Sequence, residues 1–267
     1  MPLLTVKPNE LQPCDVLLFH SDTTLGNAIR LLDGGLANYN SERGHNHVGL
    51  WTGKGVAEAL SKGFVERGLD ESIEATDVFV TIVRFAGNPD DMLNTALGTT
   101  EYPYEPVLEQ IQMRLKEGDR YCFEALVLLG LVCELRRIGN VDVEERLSLD
   151  QMAKRYVLDA IENNEFVKLL EYILGQGKTP VICSGIAYKV YADAGQKYRP
   201  VILPESMHNV YNQYPQNDSD LLKQFLAIHK AETDMVYNLV TPHDTWMSPN
   251  MCYELGRLEF KHLKTDF

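Results

Sequence analysis

A chain of 267 residues with 45% hydrophobic content is long enough to bury a sizeable core as one large domain or two small ones. Its 25 Lys and Arg against 38 Asp and Glu give a formal charge of -13, which repels a phosphate backbone and argues against nucleic acid as a partner. No basic start followed by an apolar stretch, and no window approaching ~20 apolar residues, points to a secretory signal or a transmembrane segment, so a soluble, cytoplasmic protein is expected. The five cysteines, Cys14, Cys122, Cys133, Cys183 and Cys252, are odd in number, scattered and free of C-x-x-C spacing. Reduced thiols are expected, and zinc through sulfur is not.

Along the chain, CDVLLFH (Cys14 to His20) is a short apolar run between Pro13 and SDTT and suits a buried strand. TLGNAIRLLDGG follows with helical spacing and a stop at Gly34 and Gly35. HVGLWT and GVAEAL form two strands around a Gly53-Lys54 turn, and VFVTIVRF (Val78 to Phe85) is a third, rich in β-branched residues. Asn88 and Pro89 suit a helix start. From Glu105 to Lys178 strand signals vanish and a helical insertion is expected, with FEALVLLGLVCELRR as a buried helix and a capping box of Ser148 with Gln151. The predicted fold class is α+β: a single domain over 1–267, a small antiparallel sheet packed on helices, with the insertion at 105–178.

In TPVICSGIAYKVYADAG, Ile186, Ala187, Val190, Tyr191 and Ala194 keep helical spacing up to Gly195, so Cys183 and Ser184 fall at a helix N-terminus. Unpaired N–H groups and the helix dipole favour a thiolate there, and the same groups can hold the oxyanion of a tetrahedral intermediate. A cysteine in that place can equally be one that only packs, and helix placement alone does not decide. The other four cysteines are read as structural.

A thiolate nucleophile needs a base, and the base needs a group that orients it. A two-residue loop at Gly53-Lys54 pairs Thr52 with Gly55, sets Gly49 opposite Glu58 and His47 opposite Leu60, and puts His47, Gly49 and Glu58 on one face. Glu58 is then diagonal to His47 across an opening at Gly49; a loop one residue longer would separate them. His45 with His47 makes a His-x-His pair, but no third or fourth metal ligand is apparent by spacing, and His45 is read as a loop or surface residue.

These motifs, in their order, resemble the permuted NlpC-type papain-like cysteine hydrolases, the YiiX-like group. The counterparts are Cys14-Asp15-Val16-Leu17-Leu18 for the G-D-hydrophobic strand, His47-Val48-Gly49 for the H-x-G strand, Val56-Ala57-Glu58-Ala59 for the strand with the orienting residue, and Cys183-Ser184-Gly185-Ile186 for the nucleophile helix. Pro103-Tyr104-Glu105 resembles the segment after the family's helix, and Thr241-Pro242 with Ser248-Pro249 its C-terminal loop. The resemblance covers both ends of the chain and implies a circularly permuted papain-like fold with Cys183 as nucleophile, His47 as base then acid, and Glu58 holding the imidazole. Tyr104, Ser184 and Asp15 rank behind them as oxyanion or substrate-binding candidates, with packing or capping roles as the alternatives. Cys14 stands where the family has Gly, and the insertion before Cys183 has no counterpart in shorter members. The implied function is a thiol hydrolase of the peptidase or amidase type, acting on a peptide-like or acyl small-molecule substrate without a cofactor. An inactive binding protein on the same fold, and a lipid acyltransferase or thioesterase, are the alternatives.

Overall fold

The computed structural model describes residues 4–23, 44–87, 102–121, 180–200, 240–251 and 253–265. The helices expected at 24–35, 88–98 and 123–137 and the capping box at Ser148 and Gln151 lie outside these residues, as do Cys122, Cys133 and Cys252.

The fold is α+β. Seven strands, β1 (Thr5–Val6), β2 (Val16–Ser21), β3 (His47–Trp51), β4 (Val56–Leu60), β5 (Gly63–Arg67), β6 (Asp77–Arg84) and β9 (Tyr253–Leu258), make one sheet in the order β1-β9-β6-β2-β3-β4-β5. The expected small antiparallel sheet is therefore larger and mixed, because β1 runs parallel to β9 while every other neighbour is antiparallel. A second pair, β7 (Arg120–Tyr121) and β8 (Pro180–Val181), is parallel. It places a strand inside the stretch expected to be wholly helical, and brings the chain at 121 and at 180 to neighbouring positions.

Both faces of the sheet are covered, and the two-residue period of the strands sorts the side chains between them. On one face Val16, Leu18, Val48, Leu50, Ala57, Ala59 and Val83 meet helices α2 (Glu105–Glu117) and α3 (Cys183–Asp193) through Val107, Ile111, Ile186, Ala187 and Val190. On the other, Leu17, Phe19, Val56, Val80, Ile82 and Leu258 pack with Val6, Leu11, Ile73 and Leu263. Coverage of both faces is why β2 reads as an unbroken apolar run rather than an alternation. Helix α2, which opens the expected insertion, is itself part of this core; Gly118 ends it at φ 66°, and Arg114 ties it to Asp193 of α3 at 2.7 Å.

At Trp51 the β2–β3 ladder ends in a turn rather than in a longer strand. Cys14, expected on the strand, lies just ahead of it with φ 71°, the left-handed region that favours glycine. Its N–H donates to the Trp51 carbonyl at 2.6 Å, and Asp15 accepts the Trp51 N–H at 2.8 Å.

Candidate active site

The hairpin that carries His47 and Glu58 closes as its sequence dictates. Thr52 N–H donates to the Gly55 carbonyl at 2.9 Å, Gly53 takes φ 97°, and the register runs Trp51↔Val56, Leu50↔Ala57, Gly49↔Glu58. This parity puts His47 and Glu58 on the same face, and their side chains meet: Nε2 of His47 lies 2.9 Å from Oε2 of Glu58. Gly49 does not leave an opening between them. A Cβ there would sit 2.5 Å from Val56 Cγ1 and 3.3 Å from Phe19 Cε2, so those two side chains fill the space. Phe19 also flanks the imidazole, ring centroids 5.4 Å apart.

The β3–β4 pairing stops at Gly49↔Glu58, although β3 continues to His47 against β2 and β4 continues to Leu60 against β5. One more step of the same register would join Val48 to Ala59. The pairing ends there, and the head of α3 lies against this end of β3. The Val48 N–H donates to the Cys183 sulfur, as does the N–H of Ser184, and the His47 ring is within hydrogen-bonding reach of the same sulfur. With Nε2 held by Glu58, Nδ1 is the nitrogen left for the thiol.

Cys183 is the first residue of α3, after an extended Ile182, and is buried, 4% exposed. Burial pushes its thiol pKa up, but the His47 charge, the His47 hydrogen bond and the two backbone N–H groups outweigh this and hold it below the ordinary value. His47 shows the converse: burial pushes it down, while the Cys183 and Glu58 charges and hydrogen bonds raise it from 6.5 to about 10. Both shifts act in the direction of a thiolate beside an imidazolium.

Glu58 is buried, 1% exposed, whereas 23% of the His47 side chain is exposed, so the imidazole and not the carboxylate faces incoming molecules. Burial would raise the Glu58 pKa; hydrogen bonds and charge from His47, with further hydrogen bonds from Arg67 and Ser72, hold it below its ordinary value instead. Arg67 Nε donates to Oε1 at 2.8 Å and Ser72 Oγ donates to the same oxygen at 2.8 Å. Neither residue stands out in the sequence. The signal that finds Arg67 is the Gly63 turn followed by alternation in GFVER: pairing Glu58 with Val65 puts Arg67 diagonal to Glu58 on the shared face. Ser72, in the short helix α1 (Leu69–Ser72), carries no such signal.

Of the remaining candidates, Tyr104 and Asp15 are not brought to this cluster, and Ser184 reaches it only through its backbone. Ser184 is buried and its hydroxyl is committed to the Val240 carbonyl at 2.6 Å, leaving only its backbone N–H at the sulfur. Asp15 is buried in a two-point ion pair with Arg84, at 2.6 and 2.8 Å, and accepts the Gln12 N–H at 2.8 Å. Tyr104 is 41% exposed, and its carbonyl receives the Cys14 thiol at 3.5 Å. Cys14 and Asp15 precede β2, whereas His47 pairs with Phe19, and the run of β2 from Val16 to Phe19 alone spans ~10 Å. Tyr104 and Asp15 therefore belong to the opposite end of the sheet. Helix α4 (Pro242–Met247), begun by a capping box of Thr241 with Asp244, brings the expected C-terminal Pro-containing loop beside the head of α3 through Val240.

His45, expected in a loop or at the surface, is buried. Its Nε2 lies 3.0 Å from Thr81 Oγ1, and its ring meets Phe79 edge-on at 5.8 Å. Among the described residues no group of three or more His, Cys, Asp or Glu side chains is placed to hold a metal ion, and no helix is long and apolar enough to cross a membrane. Comparisons of the chain with models of known families, with curated proteins and with solved structures find no match.

Proposed function

We propose that the chain is a thiol hydrolase, built on the circularly permuted papain-like plan of the NlpC-type, YiiX-like group, that cleaves an amide or ester through an acyl-enzyme at Cys183. The observation that carries this reading is the array of Cys183 at a helix head, His47 against its sulfur and Glu58 against the far nitrogen of that imidazole. In this mechanism the thiolate adds to the substrate carbonyl carbon, and backbone N–H groups at the head of α3 take the oxyanion. Collapse breaks the bond to the leaving group, which departs with the His47 proton and leaves a thioester on Cys183. Water then attacks the thioester as His47 removes its proton; the acid is released and the thiolate–imidazolium pair is restored.

Cys183→Ala tests the proposal against a panel of peptide amides and acyl esters. Loss of turnover by at least about a thousandfold, with an unchanged circular dichroism spectrum, is the expected result. Retained turnover in the folded variant rules the mechanism out.

A further inference from the structure

We propose that Arg67 is a positioning residue that sets the charge of the Cys183–His47–Glu58 array, and through it the pH above which the array is armed. The inference rests on the thiol-hydrolase reading of that site and adds its regulation by a residue that touches neither the sulfur nor the imidazole.

Three groups converge on the Glu58 carboxylate, and they divide its oxygens. Oε2 meets His47 alone; Oε1 receives both Arg67 Nε and Ser72 Oγ at 2.8 Å. Arg67 is the one cation among these, because His47 draws its own charge from the proton it shares with the array. Arg67 comes from β5, one strand beyond Glu58, and a second of its guanidinium nitrogens, Nη1, reaches Glu74 at 3.6 Å. The charged and titratable groups around the array are thus Arg67 on β5, Glu74 after α1, Cys183 on α3 and Asp77 on β6, whose carboxylate feels the His47 charge. Glu58 itself is almost wholly buried, and an unpartnered carboxylate there would favour its neutral form. A neutral Glu58 would no longer hold the Nε2 proton by charge, and the imidazolium that supports the thiolate would weaken. Arg67 opposes this, and its positive charge lowers the proton affinity of Glu58 and, across the array, of the Cys183 thiol. Glu74, exposed at the rim, shares the guanidinium and opposes the effect.

The readout is the rate at which iodoacetamide alkylates Cys183 as a function of pH, followed by peptide mass spectrometry on the intact folded protein. It reports thiolate directly and needs no substrate. Arg67→Gln keeps a hydrogen-bond donor for Oε1 and removes the charge; the acid-side midpoint of Cys183 alkylation is expected to move up by about one pH unit. Arg67→Lys, which keeps the charge, restores the midpoint toward that of the parent. An unmoved midpoint in folded Arg67→Gln overturns the inference. Should that variant fail to fold, Glu74→Gln decides at low ionic strength: a downward shift of a few tenths of a unit is expected, and no shift overturns the inference. Failure of the underlying reading has a separate signature, namely a Cys183 in the parent protein that alkylates at neutral pH no faster than an ordinary thiol.

Discussion

His47 lies between the Cys183 sulfur and the Glu58 carboxylate, and the charge on each favours its protonated form. Burial alone would strip the imidazole of its proton; the two charges reverse that and raise its pKa from 6.5 to about 10. The consequence for stability follows from the direction of the shift. Protonation of His47 stabilises the fold fully below its unfolded value near 6.5, and the contribution is lost as pH rises through about 10. Glu58 works in the opposite sense: its depressed pKa gives stability present above its unfolded value of 4.5 and lost as pH falls through the lower folded one. For activity, the expected alkaline limb lies near pH 10, where the imidazolium can no longer serve as acid. His47→Ala should abolish that limb and lower turnover by roughly 10²- to 10⁴-fold, which a pH–rate profile of the two proteins checks. The residue types and their order in the chain make Cys183 and His47 legible in the sequence, because helical spacing and hairpin parity are local. Burial is not local: His45 reads as a surface histidine until β6 supplies Thr81 and Phe79 around it.

The β3–β4 hairpin is the element that aims the site. Its register depends on a two-residue loop, which Gly53 and Lys54 announce, and so the pairing of Gly49 with Glu58 follows from sequence alone. The reason for glycine at 49 does not, since it lies in the neighbouring side chains of Val56 and Phe19. Gly49→Val would press a Cβ against Val56 Cγ1 and displace the Phe19 ring that flanks His47. A loss of about 1–3 kcal/mol in urea denaturation is expected, together with slower alkylation of Cys183. Unchanged stability would mean that Val56 and Phe19 yield more freely than their packing implies. Strands β5 and β9 escape a sequence reading for a different reason. GFVER and YELGRL mix charges and glycine into their alternation, and only the neighbours that receive Arg67 and Arg257 make those charges tolerable.

At the scale of the whole molecule, the formal charge of -13 acts as diffuse repulsion on every part of the fold. Two ion pairs, Asp15 with Arg84 and Glu58 with Arg67, each have a buried carboxylate and are poorly reached by salt. Screening should therefore weaken the repulsion more than the pairs. Raising NaCl from about 10 mM to about 150 mM at pH 7 shortens the Debye length from about 30 Å to about 8 Å, and the urea midpoint is expected to rise. A fall would show that surface pairs such as Lys54 with Glu66 contribute more than the repulsion removes. The α+β class is legible from the alternation of strand and helix patterns, but the parallel β1–β9 contact joins the two ends of the chain through strands too short or too polar to declare themselves.

The end of the β3–β4 pairing links the proposed chemistry to the docking of α3. Before α3 docks, the Val48 amide has no sulfur to meet, and Cys183 is an ordinary thiol with a reference pKa of about 8.5, largely protonated at neutral pH. The strands bring His47 to Glu58 by themselves, because that contact is contained within the hairpin and its neighbours. On the proposed mechanism, arming the nucleophile needs a helix from far along the chain to set its first turn against the end of that hairpin. On the same reading, a nascent or partly unfolded chain carries a cysteine that is slow to oxidise or to attack neighbouring carbonyls, and the reactive form is confined to molecules in which α3 has docked.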